Sequence, residues 1–151
     1  MYFDQRLCIF HQKLENKEQL FRVMSDKMLK ADCVKKDYYD GIVNREKEYP
    51  TGLYVNGTGF AIPHTDSDKV KKSQICFLSL KEPIEFEDMV DKNHKIPVEL
   101  IFMLAMKEPH EQVGTLQNLI ALFQDEEKIE QLKQCDTEDE FMQILNTSGI
   151  E

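Results

Sequence analysis

The chain has 151 residues, and its 28 acidic and 19 basic side chains give a net charge of −9 at pH 7. This length suits one domain with one core, so we expect a single domain over residues 1–151. A nucleic-acid-binding surface needs clustered Lys and Arg, and the short basic clusters here, Lys35-Lys36 and Lys69, Lys71 and Lys72, argue against one.

The cysteines and the apolar runs indicate the cellular compartment. The four cysteines form no Cys-x-x-Cys pair, so we expect neither a disulfide framework nor a zinc site, as is usual in a reducing cytoplasm. No apolar run approaches the roughly 20 residues that cross a bilayer, and no signal segment is recognisable. We therefore expect a cytoplasmic protein that reaches the membrane only through a partner.

The first third of the chain predicts one strand and two helices. Residues 7–10 predict a short strand, and Asn16 is a suitable N-cap for the first helix. The second helix is predicted over residues 36–47, although Gly41 weakens it. The apolar spacing assigns an inner face to the first helix (Leu20, Val23, Met24, Leu29) and one side to the second (Tyr39, Ile42, Val43, Glu46).

A short apolar segment then ends at a histidine. Gly57 and Gly59 permit a sharp turn or a close approach of another group to the backbone. Pro63 fixes its own φ and favours an extended Ile62, so His64 is predicted at the rigid end of a strand. An imidazole placed there can act as a nucleophile, a base or a metal ligand, or can be an ordinary loop histidine.

The second half predicts two strands followed by helices. Residues 74–80 predict a strand with a short continuation near Ile84 and Phe86, and residues 98–105 form an apolar run typical of a central strand covered on both faces. A helix is predicted from Pro109-His110, with a stripe that we assign to the core (Val113, Leu116, Leu119, Ile120, Phe123). Two further helices are predicted, one starting at Asp125 and one at a capping box formed by Thr137 and Glu140.

This alternation predicts the fold class α/β. We expect a single-domain α/β/α sandwich with a mixed, mostly parallel sheet that carries helices on both sides. Ligands of such sheets bind outside the strand ends, which would place His64 and His110 at one edge.

The motifs around His64 resemble a known family. Residues 44–53 (Asn-Arg-Glu-Lys-Glu-Tyr-Pro-Thr-Gly-Leu) and 59–64 (Gly-Phe-Ala-Ile-Pro-His) resemble the phosphoacceptor domain of the sugar phosphotransferase system, enzyme IIA of the mannitol and fructose family. The segment Tyr-Pro-Thr-Gly-Leu (residues 49–53) looks most like the galactitol-type branch of this family. The resemblance extends along nearly the whole chain and is most specific from Arg45 to His64.

This resemblance implies an activity and partners. The protein would be a cytoplasmic phosphotransferase component that accepts a phosphoryl group from the small histidine carrier protein HPr and donates it to a cysteine of a sugar-specific enzyme IIB. A membrane-embedded IIC component would move the sugar, which would be galactitol if the branch resemblance holds. Neither a cofactor nor a metal ion is implied.

The resemblance also implies roles for individual residues. His64 would carry the phosphoryl group, while Arg45 and His110 align with an arginine and a second histidine near the active site of mannitol-type members. Many members follow the acceptor histidine with Gly-Thr, whereas this chain has Thr65-Asp66-Ser67-Asp68. Because carboxylates would repel a phosphoryl group, we expect Asp66 and Asp68 to point away from it. The Thr65 hydroxyl would be able to donate to a phosphoryl oxygen.

Two other functions are compatible with the same residues. One is a regulatory module of the nitrogen type, in which phosphorylation of His64 switches the affinity for a target. The other is a metal-dependent hydrolase that uses His64, Asp66 and Asp68 with His94 or His110. For a carrier, the sequence offers Phe60, Val70 and Met106 as contributors to an apolar docking surface around His64.

Overall fold

A computed structural model of the protein describes residues 2–148 and 150. Five strands and five α-helices are present in this part of the chain. The strands are β1 (Cys8–Gln12), β2 (Gly52–Val55), β3 (Thr58–Ala61), β4 (Gln74–Glu87) and β5 (Lys95–Ala105). The helices are α1 (Lys17–Lys30), α2 (Tyr38–Glu48), α3 (Pro109–Phe123), α4 (Glu126–Gln134) and α5 (Glu138–Ser148).

The strands form one mixed sheet in the order β1-β4-β5-β3-β2. The β1–β4 and β3–β5 pairs are parallel, whereas β2–β3 and β4–β5 are antiparallel. The predicted mixed sheet is confirmed, but the prediction that it is mostly parallel is wrong. β2 and β3 are joined by residues 56–57 and β4 and β5 by residues 88–94, and connections this short suit antiparallel neighbours, whereas parallel neighbours need a longer crossover.

Two hydrophobic cores lie on opposite faces of the sheet. One contains residues of α1 and α2, and the other contains residues of α3, α4 and α5. Along β5, Ile101 and Met103 belong to the first core, while Leu100 and Phe102 belong to the second. This alternation explains the continuous apolar run and confirms the three-layer α/β/α sandwich.

The predicted helix caps are confirmed, but two residues assigned to inner faces are exposed. The Asn16 side chain accepts a hydrogen bond from the Gln19 amide at 2.9 Å, and Glu140 N–H donates to Thr137 Oγ1 at 3.2 Å. Leu29 is 40% exposed because it lies on the side of α1 opposite Leu20.

In α3, the assignment of Val113 to the core is also wrong. Its side chain is 58% exposed, whereas Leu119 and Phe123 are buried. Val113 lies about 120° around the helix from Leu119, so the two side chains do not share a face.

The β2–β3 hairpin depends on its glycines. Asn56 and Gly57 both have positive φ values, 49° and 85°, as the two central residues of a tight hairpin turn require. Gly59 lies against the backbone oxygen of Pro97, where a Cβ would overlap that oxygen. β2 itself was not predicted from the sequence, because it is a four-residue edge strand whose central Tyr54 is exposed.

We expect Gly59→Ala to lower the free energy of unfolding by about 2 kcal/mol, because the added methyl must push a neighbouring strand away. Gly114→Ala is the matched control, since a Cβ there meets nothing within 4 Å. The control should raise stability by up to about 1 kcal/mol, as alanine favours a helix interior. Urea denaturation measures both changes, and a Gly59→Ala protein as stable as wild type would contradict the prediction.

Candidate functional site

His64 lies at the end of an interior strand. β3 pairs with β2 on one side and β5 on the other, and the chain continues past Ala61 through the buried Ile62 and Pro63. The Pro63 carbonyl accepts a hydrogen bond from the Leu104 amide at 2.9 Å, which holds this segment against β5. The prediction that His64 sits at the rigid end of a strand is therefore confirmed.

A hydrogen bond determines which nitrogen of His64 is available. Nδ1 lies 2.8 Å from the Ile62 carbonyl oxygen. Because a carbonyl can only accept, Nδ1 carries the proton, and in the neutral ring Nε2 keeps a free lone pair. The side chain therefore presents Nε2 as its nucleophilic atom.

The surroundings of His64 favour the neutral ring. Burial lowers its pKa below the ordinary value of 6.5; the bond to Ile62 opposes this effect and the nearby Arg45 cation reinforces it. A neutral imidazole is the form that can attack phosphorus.

Arg45 is brought to this edge by the last turn of α2. One guanidinium nitrogen lies 3.9 Å from Asp66 Oδ1, and the guanidinium carbon lies 5.2 Å from the centre of the Tyr49 ring. Arg45 Nε is buried, and no described residue accepts a hydrogen bond from it. Arg45 therefore retains unused donor capacity close to His64.

A cleft of about 270 Å³ separates α2 from residues 65–69, the segment that follows His64. Gly41 allows the two to pack closely, since a Cβ there would lie 2.7 Å from Thr65 Oγ1. Thr65 is buried, while Asp66 and Asp68 are mostly exposed and lie near Arg45 and Lys69 respectively. The cleft is lined by Gly41, Asn44, Arg45, Glu48, Tyr49, Thr65, Asp66 and Lys69.

Glu46 attaches the helix that carries Arg45 to the hairpin that leads to His64. Its buried carboxylate accepts hydrogen bonds from the Thr51 amide and hydroxyl, each at 2.8 Å. Burial raises the pKa of Glu46, and the two bonds from Thr51 oppose that rise. Sequence reasoning placed Glu46 on the side of a helix without a role; an acidic residue among apolar ones on that side was the available signal.

His110 lies in the first turn of α3, exposed, at the sheet edge where β3 and β5 end. The neighbouring Glu111 holds this turn in place by accepting hydrogen bonds from Tyr2 Oη and Ser73 Oγ, both at 2.9 Å, and from the Glu108 amide at 3.1 Å. Burial disfavours the charged form of Glu111, but these bonds outweigh it and lower the pKa. No hydrogen bond links His110 to His64 within the described residues, although both lie at this edge of the sheet.

The residues predicted to form a docking surface are not exposed. Phe60, Val70 and Met106 are each at most 3% exposed, so this prediction is wrong. Phe60 instead stacks on Phe123, with ring centres 3.8 Å apart. Alternation along a strand covered on both faces buries both sets of side chains, so an apolar residue near His64 need not reach the surface.

The structure offers no support for the metal-hydrolase hypothesis. Within residues 2–148 and 150, no group of three His, Cys, Asp or Glu side chains is arranged to hold a metal ion. The cysteines are free and buried, and burial raises the pKa of Cys8 to about 12 and of Cys135 to about 11. No helix in the described part of the chain is long and apolar enough to span a membrane.

A comparison with known families identifies the class of protein to which this sandwich belongs. The model of the family "Phosphoenolpyruvate-dependent sugar phosphotransferase system, EIIA 2" matches residues 1–148. The chain belongs to this family.

Individual relatives and structures refine the comparison. The chain is 28% identical over 136 residues to the ascorbate-specific PTS system EIIA component of Escherichia coli (strain K12), covering 89% of this chain and 86% of that protein. It is similar to the structure of the E. coli complex of enzyme IIAMTL and phosphorylated enzyme IIBMTL (25% identity, TM-score 0.76, 94% and 95% of the two chains). It is also similar to the nitrogen regulatory protein IIA-Ntr of Neisseria meningitidis (25% identity, TM-score 0.72, 93% of each chain).

These comparisons do not support the galactitol-type branch. Several of the matching relatives are described as ascorbate-specific, so the galactitol-type specificity predicted from the Tyr-Pro-Thr-Gly-Leu segment is not confirmed. The structure gives that segment another explanation, because Thr51 bonds to Glu46 and Gly52 lies against the Glu87 backbone. Thr51 thus attaches α2 to the hairpin, and Gly52 lets the hairpin pack closely on the end of β4.

We expect Glu46→Gln to be at least as stable as wild type at pH 7, because its amide oxygen can accept from the Thr51 amide, its NH2 can donate to the Thr51 hydroxyl, and it carries no charge to bury. Glu46→Ala should lose about 2–3 kcal/mol. Because the pKa of Glu46 is raised in the folded protein, folding binds the protonated form more favourably than the charged form, and wild type should lose stability relative to Glu46→Gln as pH rises above 4.5. Denaturation at several pH values measures this, and a Glu46→Gln loss equal to that of Glu46→Ala would argue against it.

His64 should titrate below 6.5 in an NMR pH titration, and Arg45→Gln should move its pKa upward. Because the folded pKa is lowered, the ring should be neutral above that pKa, and the protein should lose stability as pH falls below 6.5. A pKa at or above 6.5 in wild type, or a downward shift in Arg45→Gln, would contradict this assignment.

Proposed function

We propose that the domain formed by residues 1–151 is a phosphocarrier IIA component of a sugar phosphotransferase system, with His64 as the phosphoacceptor. The observation that carries the proposal is the hydrogen bond from His64 Nδ1 to the Ile62 carbonyl at 2.8 Å. It directs Nε2 of a neutral ring outward from the end of β3. Membership of the EIIA family supports the same reading.

The transfer follows from this geometry. The Nε2 lone pair attacks the phosphorus of phospho-HPr, the phosphorus–nitrogen bond of the donor breaks, and its electron pair returns to the donor imidazole. Nδ1 keeps its proton throughout, and this proton stays hydrogen-bonded to the Ile62 carbonyl. In the second step a thiolate of enzyme IIB attacks phosphorus, a phosphorus–sulfur bond forms, and the Nε2–phosphorus bond breaks. His64 is thereby regenerated, and no cofactor or metal ion takes part.

The neighbouring residues would stabilise the transferred group. No residue in the described part of the chain accepts from the buried Arg45 Nε, so Arg45 can turn charged donors towards a phosphoryl oxygen. His110 stands at the same edge on the first turn of α3, where it would donate a further hydrogen bond. The Thr65 hydroxyl lines the cleft beside His64 and would provide another.

The partners follow from the role of a carrier. HPr would be the donor, and a sugar-specific enzyme IIB the acceptor, as in the similar complex of IIAMTL with phosphorylated IIBMTL. The membrane component IIC would be an indirect partner, and the protein would work in the cytoplasm. Among transported substrates, the relatives favour ascorbate, although recognition of the substrate belongs to the other components.

A regulatory role is the second candidate, because the fold is also similar to that of the nitrogen regulatory protein IIA-Ntr. Such a protein would also accept the phosphoryl group on His64. It would differ in not passing the group to a IIB cysteine. Transfer to IIB therefore separates the two roles.

The test is incubation with phosphoenolpyruvate, enzyme I and HPr, followed by intact-mass measurement and acid treatment. Wild type should gain one acid-labile phosphoryl group, His64→Ala should gain none, and His94→Ala, a histidine in an exposed turn, should behave as wild type. His110→Ala should accept the group about tenfold more slowly, the cost of one charge-assisted hydrogen bond. Normal phosphorylation of His64→Ala, or none of wild type, would overturn the proposal.

A further inference from the structure

We propose that Asp66 is an internal competitor for Arg45: its carboxylate neutralises this cation in the resting protein, and the phosphoryl group on His64 must displace it. Asp66 would thus make the phosphohistidine less stable and readier to give up its group. This inference rests on the proposed function of His64. It assigns Asp66 a positioning role through Arg45, not a place among the groups that touch the phosphoryl group.

The geometry places one cation between two sites of negative charge. Asp66 Oδ1 lies 3.9 Å from a guanidinium nitrogen of Arg45, and the same guanidinium is close enough to His64 to lower the pKa of its ring. The Asp66 backbone is held by a short 3₁₀ turn (Ser67–Lys69), in which the Lys69 amide donates to the Asp66 carbonyl at 3.2 Å. Asp66 is therefore fixed near Arg45 by the backbone.

The contact between Asp66 and Arg45 is weak enough to be broken. Asp66 is 75% exposed, and the distance is longer than that of a charge-assisted hydrogen bond. Exposed ion pairs contribute little to stability. A phosphoryl group carries a charge between −1.5 and −2 and three strong acceptor oxygens, so it should outcompete one carboxylate for the guanidinium.

The displaced carboxylate has a second cation within reach. Lys69 lines the same cleft as Arg45 and Asp66. Burial acts to lower its pKa, but Asp68, Asp37 and Asp66 together raise it, which shows that Asp66 already acts on the Lys69 ammonium. After phosphorylation Asp66 can move towards Lys69, yet its negative charge remains beside the phosphoryl group and disfavours it.

The experiment measures the phosphoenzyme directly in Asp66→Asn and in a matched control, Asp68→Asn. Asp68 is equally exposed, but its ion pair is with Lys69. Asp66→Asn should lengthen the half-life of the phosphoryl group and shift the equilibrium with phospho-HPr towards this protein by about threefold, the effect of one exposed ion pair. Asp68→Asn should change neither quantity, and high salt should reduce the difference.

A double variant shows whether the effect passes through Arg45. In an Arg45→Gln background, Asp66→Asn should lose most of its effect on the half-life. An unchanged half-life in Asp66→Asn, an equal change in Asp68→Asn, or an undiminished effect without Arg45 would each overturn the inference.

The same measurements separate this inference from the function on which it rests. If wild type accepts no phosphoryl group on His64, the carrier function itself is wrong. If wild type and both Asp variants are phosphorylated with the same half-life, the carrier function stands and the role of Asp66 is wrong.

Discussion

The hydrogen bond between His64 Nδ1 and the Ile62 carbonyl is the constraint on which the site depends. It joins the imidazole to the carbonyl two residues earlier, in the segment that the hydrogen bond from the Leu104 amide to the Pro63 carbonyl holds against β5. A carbonyl cannot donate, so one ring nitrogen is protonated and the other is left as the nucleophile. Burial then keeps the ring neutral. One main-chain contact thus determines which ring nitrogen is available and how the ring is oriented.

The second requirement is a cation held at a constant distance from this histidine. Arg45 belongs to α2, which packs on the opposite side of the cleft from residues 65–69. Gly41 removes the side chain that would keep α2 away, and Glu46 attaches the helix to Thr51 at the start of the hairpin. The contact of Gly41 with Thr65 and the hydrogen bonds of Glu46 to Thr51 are both buried, and neither involves the His64 side chain. They act by fixing the separation of the charged groups, on which electrostatic stabilisation depends.

The site is suited to a group that arrives and leaves. A catalyst for hydrolysis would bring water to the phosphorus, whereas in the proposed function the nucleophile would be the side chain itself and the product a labile phosphoramidate. Arg45, the cation that acts on His64, is opposed by the Asp66 carboxylate. This near-neutral balance would limit how tightly the phosphoryl group is held. A carrier benefits from a bond of moderate stability, since its task ends only when the group has moved on.

Local sequence determined the elements and the position of the acceptor. The spacing of apolar residues and the helix caps were sufficient to predict the helices and the strands β1, β3, β4 and β5. The Ile-Pro-His segment was sufficient to predict His64 at a strand end. These features depend on neighbours in the chain. The edge strand β2, the equal mixture of parallel and antiparallel pairs, and the exposure of Leu29 and Val113 depend on packing that no local pattern encodes.

The same division applies to the site. Residue type and spacing were enough to select His64, and the resemblance to a family was needed for Arg45 and His110. The pairing of Arg45 with Asp66, the Glu46–Thr51 contact and the burial of Phe60, Val70 and Met106 were decided only by the tertiary structure. Each of these arises where separate segments meet, so burial and charge pairing there depend on distances that the chain acquires on folding.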